Sequence, residues 1–335
     1  MPVWSIIPLV LPLRYVWKIS RNASTTKTNL LVRVAGRGQQ GQGEAAPNVR
    51  YGETPELLQT QFATLQAHGL NEVATLAGLD ALLAAHPAAH ALRCALESAL
   101  VYWLAACAGQ AVWQCLGVPA PAPAAPTAFS LPIMAPGEVA AFLREQHAAR
   151  FGLLKIKVSA TEGLDLLREV ARALPGHALL VDGNETWPDA DAVLQFLEQA
   201  RALPGLHLRL LEQPLPAACA ADYRYLRPRS GVPLLADESV TDKADFATIA
   251  EQFHGVNVKL MKAGGFRRGI ELLRQTRAHG LLPMLGCMVE TSVGIAAALQ
   301  ISALAEVLDL DGFLIVRDEP FGLVTEAEGC LRLLA

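Results

Sequence analysis

Apolar positions along the chain fall into two regimes. Residues 5–17 and 28–35 are β-type runs, and the polar stretch from Ser20 to Thr28 between them reads as a loop with room to move. Residues 54–70 and 88–116 repeat their apolar positions with helical spacing, the second stretch closing at Gly117 before the Pro-rich piece VPAPAPAAPTA. From about residue 127 short aliphatic runs alternate with amphipathic stretches. The runs are FSLPI, LLKIKVS, ALLVDGN, LRLLEQP, PLLADES, GVNVKLM, LPMLGCM and VLDLDGFLIV. Such alternation predicts a parallel sheet of βα units, and eight strands is the number that closes a barrel.

Polar residues within these runs carry more information than the runs themselves. Lys157, Asp182, Glu212, Asp237 and Lys259 each stand at or near the C-terminal end of a predicted strand, 25, 30, 25 and 22 residues apart. That is one charge per βα unit, which gathers all five on the face where barrels carry their active sites. Three buried carboxylates on neighbouring strands need a cation or bound protons to offset their desolvation.

Asp182, Glu212 and Asp237 offer hard oxygen ligands only, which select Mg2+, Mn2+ or Ca2+ over zinc, and three protein ligands fit Mg2+, with Mn2+ as a substitute, because it keeps open positions for water or substrate oxygens. Lys155 and Lys157 are two apart on one strand and share its inner face. Lys259 falls about halfway around the ring, so Lys157 and Lys259 address the cavity from opposite sides. Two amines so placed suit removing a proton from one face of a carbon and returning one to the other. A carbon acid next to a carboxylate needs strong charge stabilisation, from the metal and Lys155. A lysine beside a divalent cation and a second ammonium is expected to have a lowered pKa.

Composition narrows the class. The chain has 335 residues, 52% hydrophobic and 18% charged, with a net charge of -4, as expected for a large buried parallel sheet and not for a disordered chain. No basic field addresses nucleic acid or anionic lipid, and no uncharged stretch is long enough to cross a membrane. The apolar opening MPVWSIIPLVLPLRYVWKIS carries Arg14 and Lys18 and reads as a strand, not a leader. Six cysteines without a C-x-x-C pair point to neither zinc nor disulfides, and a cytoplasmic location is expected.

Five motifs, K-I-K at 155–157, V-D-G-N at 181–184, L-E-Q-P at 211–214, A-D-E-S at 236–239 and N-V-K-L-M-K-A-G-G at 257–265, together resemble the enolase superfamily. The lysine pattern is similar to its muconate-lactonizing subgroup. That resemblance implies an N-terminal α+β capping domain on a (β/α)7β modified TIM barrel. Here the cap would be 1–120, with about 318–335 packing back on it, and the barrel 121–317. It also implies Asp182, Glu212 and Asp237 as metal ligands, Lys157 and Lys259 as the acid/base pair, and Lys155 on the substrate carboxylate. Asn184 and Glu238 would support the ligands, and Lys262, three residues past Lys259, stays open between a part in the site and a helix-start or surface role. Asp309 and Asp311, two apart in VLDLDGF, share a side and suit an ammonium group. This D-x-D resembles the dipeptide epimerases, where it binds the free α-amino group.

The same branch is echoed by G-C-M-V-E-T-S at 286–292, with Met288 and Glu290 as pocket residues, and by Ser130 on the first barrel strand. Asn22 stands where relatives acting on Ala-Glu use an Arg, with Arg21 beside it, so the second residue of the dipeptide stays open between acidic, hydrophobic and cationic. The expected partner is a small dipeptide, with homo-oligomerisation allowed. Rival readings are o-succinylbenzoate synthesis or N-acylamino acid racemisation, which need no partner for a free amine, or a barrel that only binds ligand. GRGQQG at 36–41 spells a dinucleotide fingerprint but precedes no helix, and reads as a hairpin. His86 and His90, four apart on an expected helix, lack the Glu of a zinc hydrolase.

Overall fold

The computed structural model describes residues 1–20 and 22–334. Its first part is an antiparallel sheet of β1 (Val3–Lys18), β2 (Ala23–Gly36) and β3 (Gln39–Ala45), in that order. Pairing of Trp17 with Ser24 and Lys18 with Ala23 carries β2 into the stretch expected to be a loop, so only residues 19–22 connect the strands. GRGQQG is the β2–β3 hairpin: Arg37 and Gly38 both take positive φ (56° and 73°), as a two-residue primed turn requires.

Helices α1 (Pro55–Ala67), α2 (Leu76–Ala85), α3 (His90–Ala108) and α4 (Val112–Cys115) follow. The stretch expected to be one helix to Gly117 is broken at Gly109, whose left-handed conformation (φ 63°) caps α3. His86 ends α2 and His90 starts α3, so the two never share a helix face. α3 is apolar and long enough to cross a membrane by composition, and it is the helix packed against β3. The approach is so close that a Cβ at Gly41 or Gly43 would lie 2.1 Å from Ala99 O or 2.2 Å from Ala95 O.

After β4 (Ala125–Pro126) comes the barrel: β5 (Phe129–Leu131), α5 (Val139–Glu145), β6 (Leu154–Lys157), α6 (Gly163–Ala173), β7 (Ala178–Asp182), α7 (Ala190–Arg201), β8 (His207–Glu212) and α8 (Ala220–Leu226). It continues through β9 (Leu234–Ala236), α9 (Phe246–Gln252), β10 (Gly255–Lys259), α10 (Leu260–Ala263), α11 (Phe266–Ala278), β11 (Leu282–Gly286), α12 (Ser292–Gln300) and β12 (Val307–Asp309). The eight parallel strands stand in sequence order from β5 to β12. Ala128 N donates to Leu308 O at 2.8 Å and Leu310 N to Thr127 Oγ1 at 2.8 Å, which brings the two end strands together. The last strand is followed by a short 3-10 turn, Gly312–Ile315, and not by a helix, which makes the fold (β/α)7β.

The period of two along each strand builds the barrel interior in layers. Ala128, Leu153, Leu180, Leu210, Leu235 and Met284 form one apolar cluster. Two residues further along their strands stand Ser130, Lys155, Asp182, Glu212, Asp237 and Gly286, so an apolar plug lies directly below a polar mouth.

A hairpin of β13 (Val324–Ala327) and β14 (Cys330–Leu333) pairs through β14 with β4. It is clamped by Arg150, whose guanidinium lies 2.6 Å from Glu326 Oε2. The hairpin lies on the segment leading into β5. Toward the N-terminal sheet, Val316 and Arg317 are bonded to Arg14, Pro12 and Leu13, and Leu323 lines a pocket with Arg33 and Gln40.

Candidate active site

A cavity of about 180 Å3 opens at the C-terminal ends of the barrel strands beneath the N-terminal sheet. Its floor is made by Lys155, Lys157, Asp237, Lys259, Asp309 and Asp311, and its roof includes Trp17, Asn22, Arg50 and Tyr51. Asp182 and Glu212, neighbours in register on β7 and β8, lie just beneath and are fully buried.

Lysines thread the carboxylates together. Lys155 Nζ lies 3.1 Å from Asp182 Oδ2, 2.9 Å from Glu212 Oε2 and 2.8 Å from Asp309 Oδ2. Lys157 Nζ donates to Asp182 Oδ2 at 2.8 Å and to Asn184 Oδ1 at 3.3 Å. Lys259 Nζ donates to Asp237 Oδ2 at 2.9 Å, and Lys262 Nζ to Asp237 Oδ1 at 2.5 Å. Lys157 on β6 and Lys259 on β10 are four strands apart in a ring of eight, hence on opposite walls.

The electrostatics follow from burial set against these contacts. Burial would lower Lys259, but Asp237 with Glu212 and Asp182 prevails and raises it. Burial would raise Asp182, yet Lys155 and Lys157 hold it well below the usual carboxylate range. Glu212 is pushed up to about 7, mainly by burial, then by Asp182 and Asp237 against the pull of Lys155. Asp311 reaches about 7 by burial and the nearby Asp309.

Among the described residues, no three Asp, Glu, His or Cys side chains are gathered closely enough to hold an ion as they stand, because ammonium groups lie between them. The donor set nevertheless fits a hard divalent cation. Asp182, Glu212 and Asp237 come from three adjacent strands, and Glu212 Oε2 is buried and accepts no hydrogen bond although Lys155 is near.

The remaining predicted residues are distributed as follows. Ser130 donates from its backbone N to Asp311 Oδ2 at 2.6 Å, and its hydroxyl sits 3.4 Å from Asp309 and 3.3 Å from Asp311. Asn184 bonds Glu238 at 3.4 Å, and both line the cavity, as do Met288 and Asn22. Glu290 is buried and does not line the cavity; it accepts from Met288 N at 2.7 Å, and burial with Glu44 beside it raises it to about 8. Arg21 lies outside the described residues. Lys262 stands in the single turn of α10 that starts after Lys259, and it is buried on Asp237.

Several site residues carried no assignment from the sequence. Asn257, two before Lys259 on β10, donates to Glu212 Oε1 at 2.8 Å and could have been found by strand parity, whereas Gln213, whose Oε1 accepts from Asp237 N at 2.9 Å, has the parity opposite to Glu212. Glu44 accepts from Thr291 N, Thr291 Oγ1 and Gly294 N, so a residue of the N-terminal sheet caps α12 and fixes the Met288–Val289 wall. Trp17, Arg50 and Tyr51 had no such signal, since their approach depends on how the sheet docks.

A closed barrel whose mouth carries acids and lysines under an α+β cap defines a barrel enzyme with its site between two units. The chain belongs to the enolase superfamily: residues 138–319 match the enolase C-terminal domain-like family. It is 32% identical to an L-Ala-D/L-amino acid epimerase of Pedosphaera parvula over 97% of this chain and 94% of the relative. It is 31% identical to the L-Ala-D/L-Glu epimerase of Escherichia coli, covering 92% and 93%. Among solved structures it is similar to an enolase family member from Agrobacterium tumefaciens with homology to dipeptide epimerases, which holds sodium and L-Ala-L-Glu. That likeness has a TM-score of 0.89 and 27% identity, covering 100% of this chain and 98% of the other.

Proposed function

We propose that the chain is a Mg2+-dependent dipeptide epimerase that inverts the α-carbon of the C-terminal residue. The observation that carries this reading is the placement of Lys157 and Lys259 on opposite walls with the Asp309–Asp311 pair between their strands around the ring. Lys157 takes the α-proton from one face, and Lys259, on the opposite wall, returns a proton to the other; the roles reverse for the opposite epimer. Asp311 and Asp309, steadied by Ser130, meet the substrate's ammonium group, and Lys155 meets its carboxylate. Asp182, Glu212 and Asp237 would hold the cation, with Asn184 and Glu238 beside them. When bound, it supplies the Lewis acidity that makes the α-proton removable.

The names of the relatives in Pedosphaera parvula and Escherichia coli support the same reaction. Six unpaired cysteines fit a reducing, cytoplasmic setting. The test is incubation with Mg2+ and a dipeptide library in D2O. Mass gain of one deuterium at the C-terminal α-position, with formation of the L,D product, is expected; no exchange with any dipeptide rejects the proposal.

A further inference from the structure

The loop after β7 turns at two consecutive residues with left-handed backbone, Asn184 and Glu185 (φ 43° and 64°), a conformation that non-glycine residues hold only where surrounding contacts impose it. The contacts on this corner come from both halves of the molecule. From the barrel, Glu185 N donates to Gln213 O at 2.8 Å and Ala217 N to Glu185 Oε1 at 3.0 Å. From the cap, Ser20 Oγ donates to Asn184 O at 3.0 Å, and Arg50 donates to both carboxylate oxygens of Glu185, at 3.0 and 3.1 Å. The same corner reaches the cavity floor, where Asn184 Oδ1 accepts from Lys157 Nζ.

Arg50 belongs to a short turn that roofs the cavity together with Asn48, Val49 and Tyr51. The far side of this turn is braced within the cap. Asn48 Oδ1 accepts from Arg50 N at 2.9 Å, and Glu53 accepts from Asn48 N at 3.1 Å and, at the start of α3, from Ala91 N at 3.0 Å. The near side is tied to the barrel by the Arg50 fork on Glu185. The cavity, about 180 Å3, is smaller than the roughly 300–1,000 Å3 usual for small-molecule sites, so a dipeptide enters only when the roof lifts. A tie that opens and shuts must be directional yet reversible. The bidentate fork supplies the direction, and the Arg50 side chain, 38% exposed against 10% for Glu185, leaves the pair open to water and salt, which weaken it.

We propose that Arg50 and Glu185 are positioning residues of the reaction, their ion pair clasping the 48–51 turn shut over the bound dipeptide. The proposal rests on the epimerase reading for its substrate and can fail separately from it. KM and kcat are measured for the Mg2+-loaded protein with whichever of L-Ala-L-Glu, L-Ala-L-Leu and L-Ala-L-Lys turns over fastest, and Mg2+ affinity is measured by calorimetry. Arg50→Ala and Glu185→Gln are each expected to raise KM at least fivefold with kcat within threefold of the wild type and Mg2+ affinity within twofold. Arg50→Lys, which keeps the charge but not the fork, is expected to fall between. Combining Arg50→Ala with Glu185→Gln is expected to add nothing to Arg50→Ala, because both act through one contact. Salt is expected to raise KM more steeply in the wild-type protein than in Arg50→Ala. Glu185→Gln keeps an acceptor for Ala217 N and carries the test if Arg50→Ala does not fold. An unchanged KM in both single variants, losses that multiply in the double variant, or a matching loss of Mg2+ affinity overturns the proposal while leaving the epimerase standing. If none of the peptides exchanges, hydrogen exchange of residues 47–53 decides the clasp without a substrate: faster exchange in Arg50→Ala than in the wild type supports it, and equal exchange overturns it.

Discussion

Replacing Lys259 with Ala separates the two halves of the proposed reaction. In the wild-type protein Lys259 Nζ is bonded to Asp237, but Lys262 holds the other oxygen of that carboxylate at 2.5 Å. Truncation therefore does not strand a lone buried charge, a loss that would cost about 3–5 kcal/mol. Losing one charge-assisted hydrogen bond costs about 1–3 kcal/mol, so the variant should fold and still bind dipeptide. Its chemistry is another matter. Removal of a positioned acid or base costs roughly 10²–10⁴-fold in rate, about 3–5 kcal/mol of barrier, so epimerisation should fall to that extent or below detection. Lys157, four strands away and bonded to Asp182 and Asn184, is untouched. It should still exchange the α-proton of one epimer with solvent. The assay follows deuterium uptake and stereochemistry in D2O, starting separately from L,L and L,D peptides. Lys157→Ala is expected to show the mirror pattern, exchanging only the other epimer. Near wild-type epimerisation in either variant, or equal exchange of both epimers in one, would refute the two-base scheme.

Three other outcomes are expected. Adding Mg2+ to metal-free protein should raise its melting temperature, by about 2.7 kcal/mol of stability at a hundredfold excess over Kd, and Asp182→Asn should largely abolish the shift in calorimetric scans. Glu290, raised to about 8 in the folded state from the ordinary 4.5, binds its proton more tightly folded than unfolded. Its contribution is thus fully present below pH 4.5 and is lost as pH rises through 8; relative to Glu290→Gln, wild-type stability should fall across pH 5–8 in thermal melts, and a parallel pair of curves would contradict this. Gly43→Ala places a Cβ 2.2 Å from Ala95 O on the backbone of α3, so urea unfolding should show a loss of about 1–3 kcal/mol or more, where an unchanged midpoint would mean that α3 is free to move.

The barrel was legible because its physics is local and periodic. Each of the eight aliphatic runs became a strand, since runs of this length are buried on both faces of a parallel sheet. A period of two then put Lys155 with Lys157, and every strand-end charge, on the inner face. Signals that depend on a single residue's backbone were harder to read. Gly109 ended α3 early because only its left-handed conformation closes that helix, while α2 was hidden in an Ala- and Leu-rich stretch with little amphipathic contrast.

By itself the sequence determined which chemical groups the barrel mouth holds, because strand order and side-chain parity follow from patterns a few residues long. Tertiary structure alone decided how those groups are paired. Asp237 is shared by two lysines, and Glu290 turned behind the wall it was expected to line. The roof of Trp17 and Tyr51 likewise exists only once the N-terminal sheet docks, with Glu44 capping α12. Such contacts join residues up to some 250 positions apart, and their energies depend on distance and burial, which no local pattern encodes.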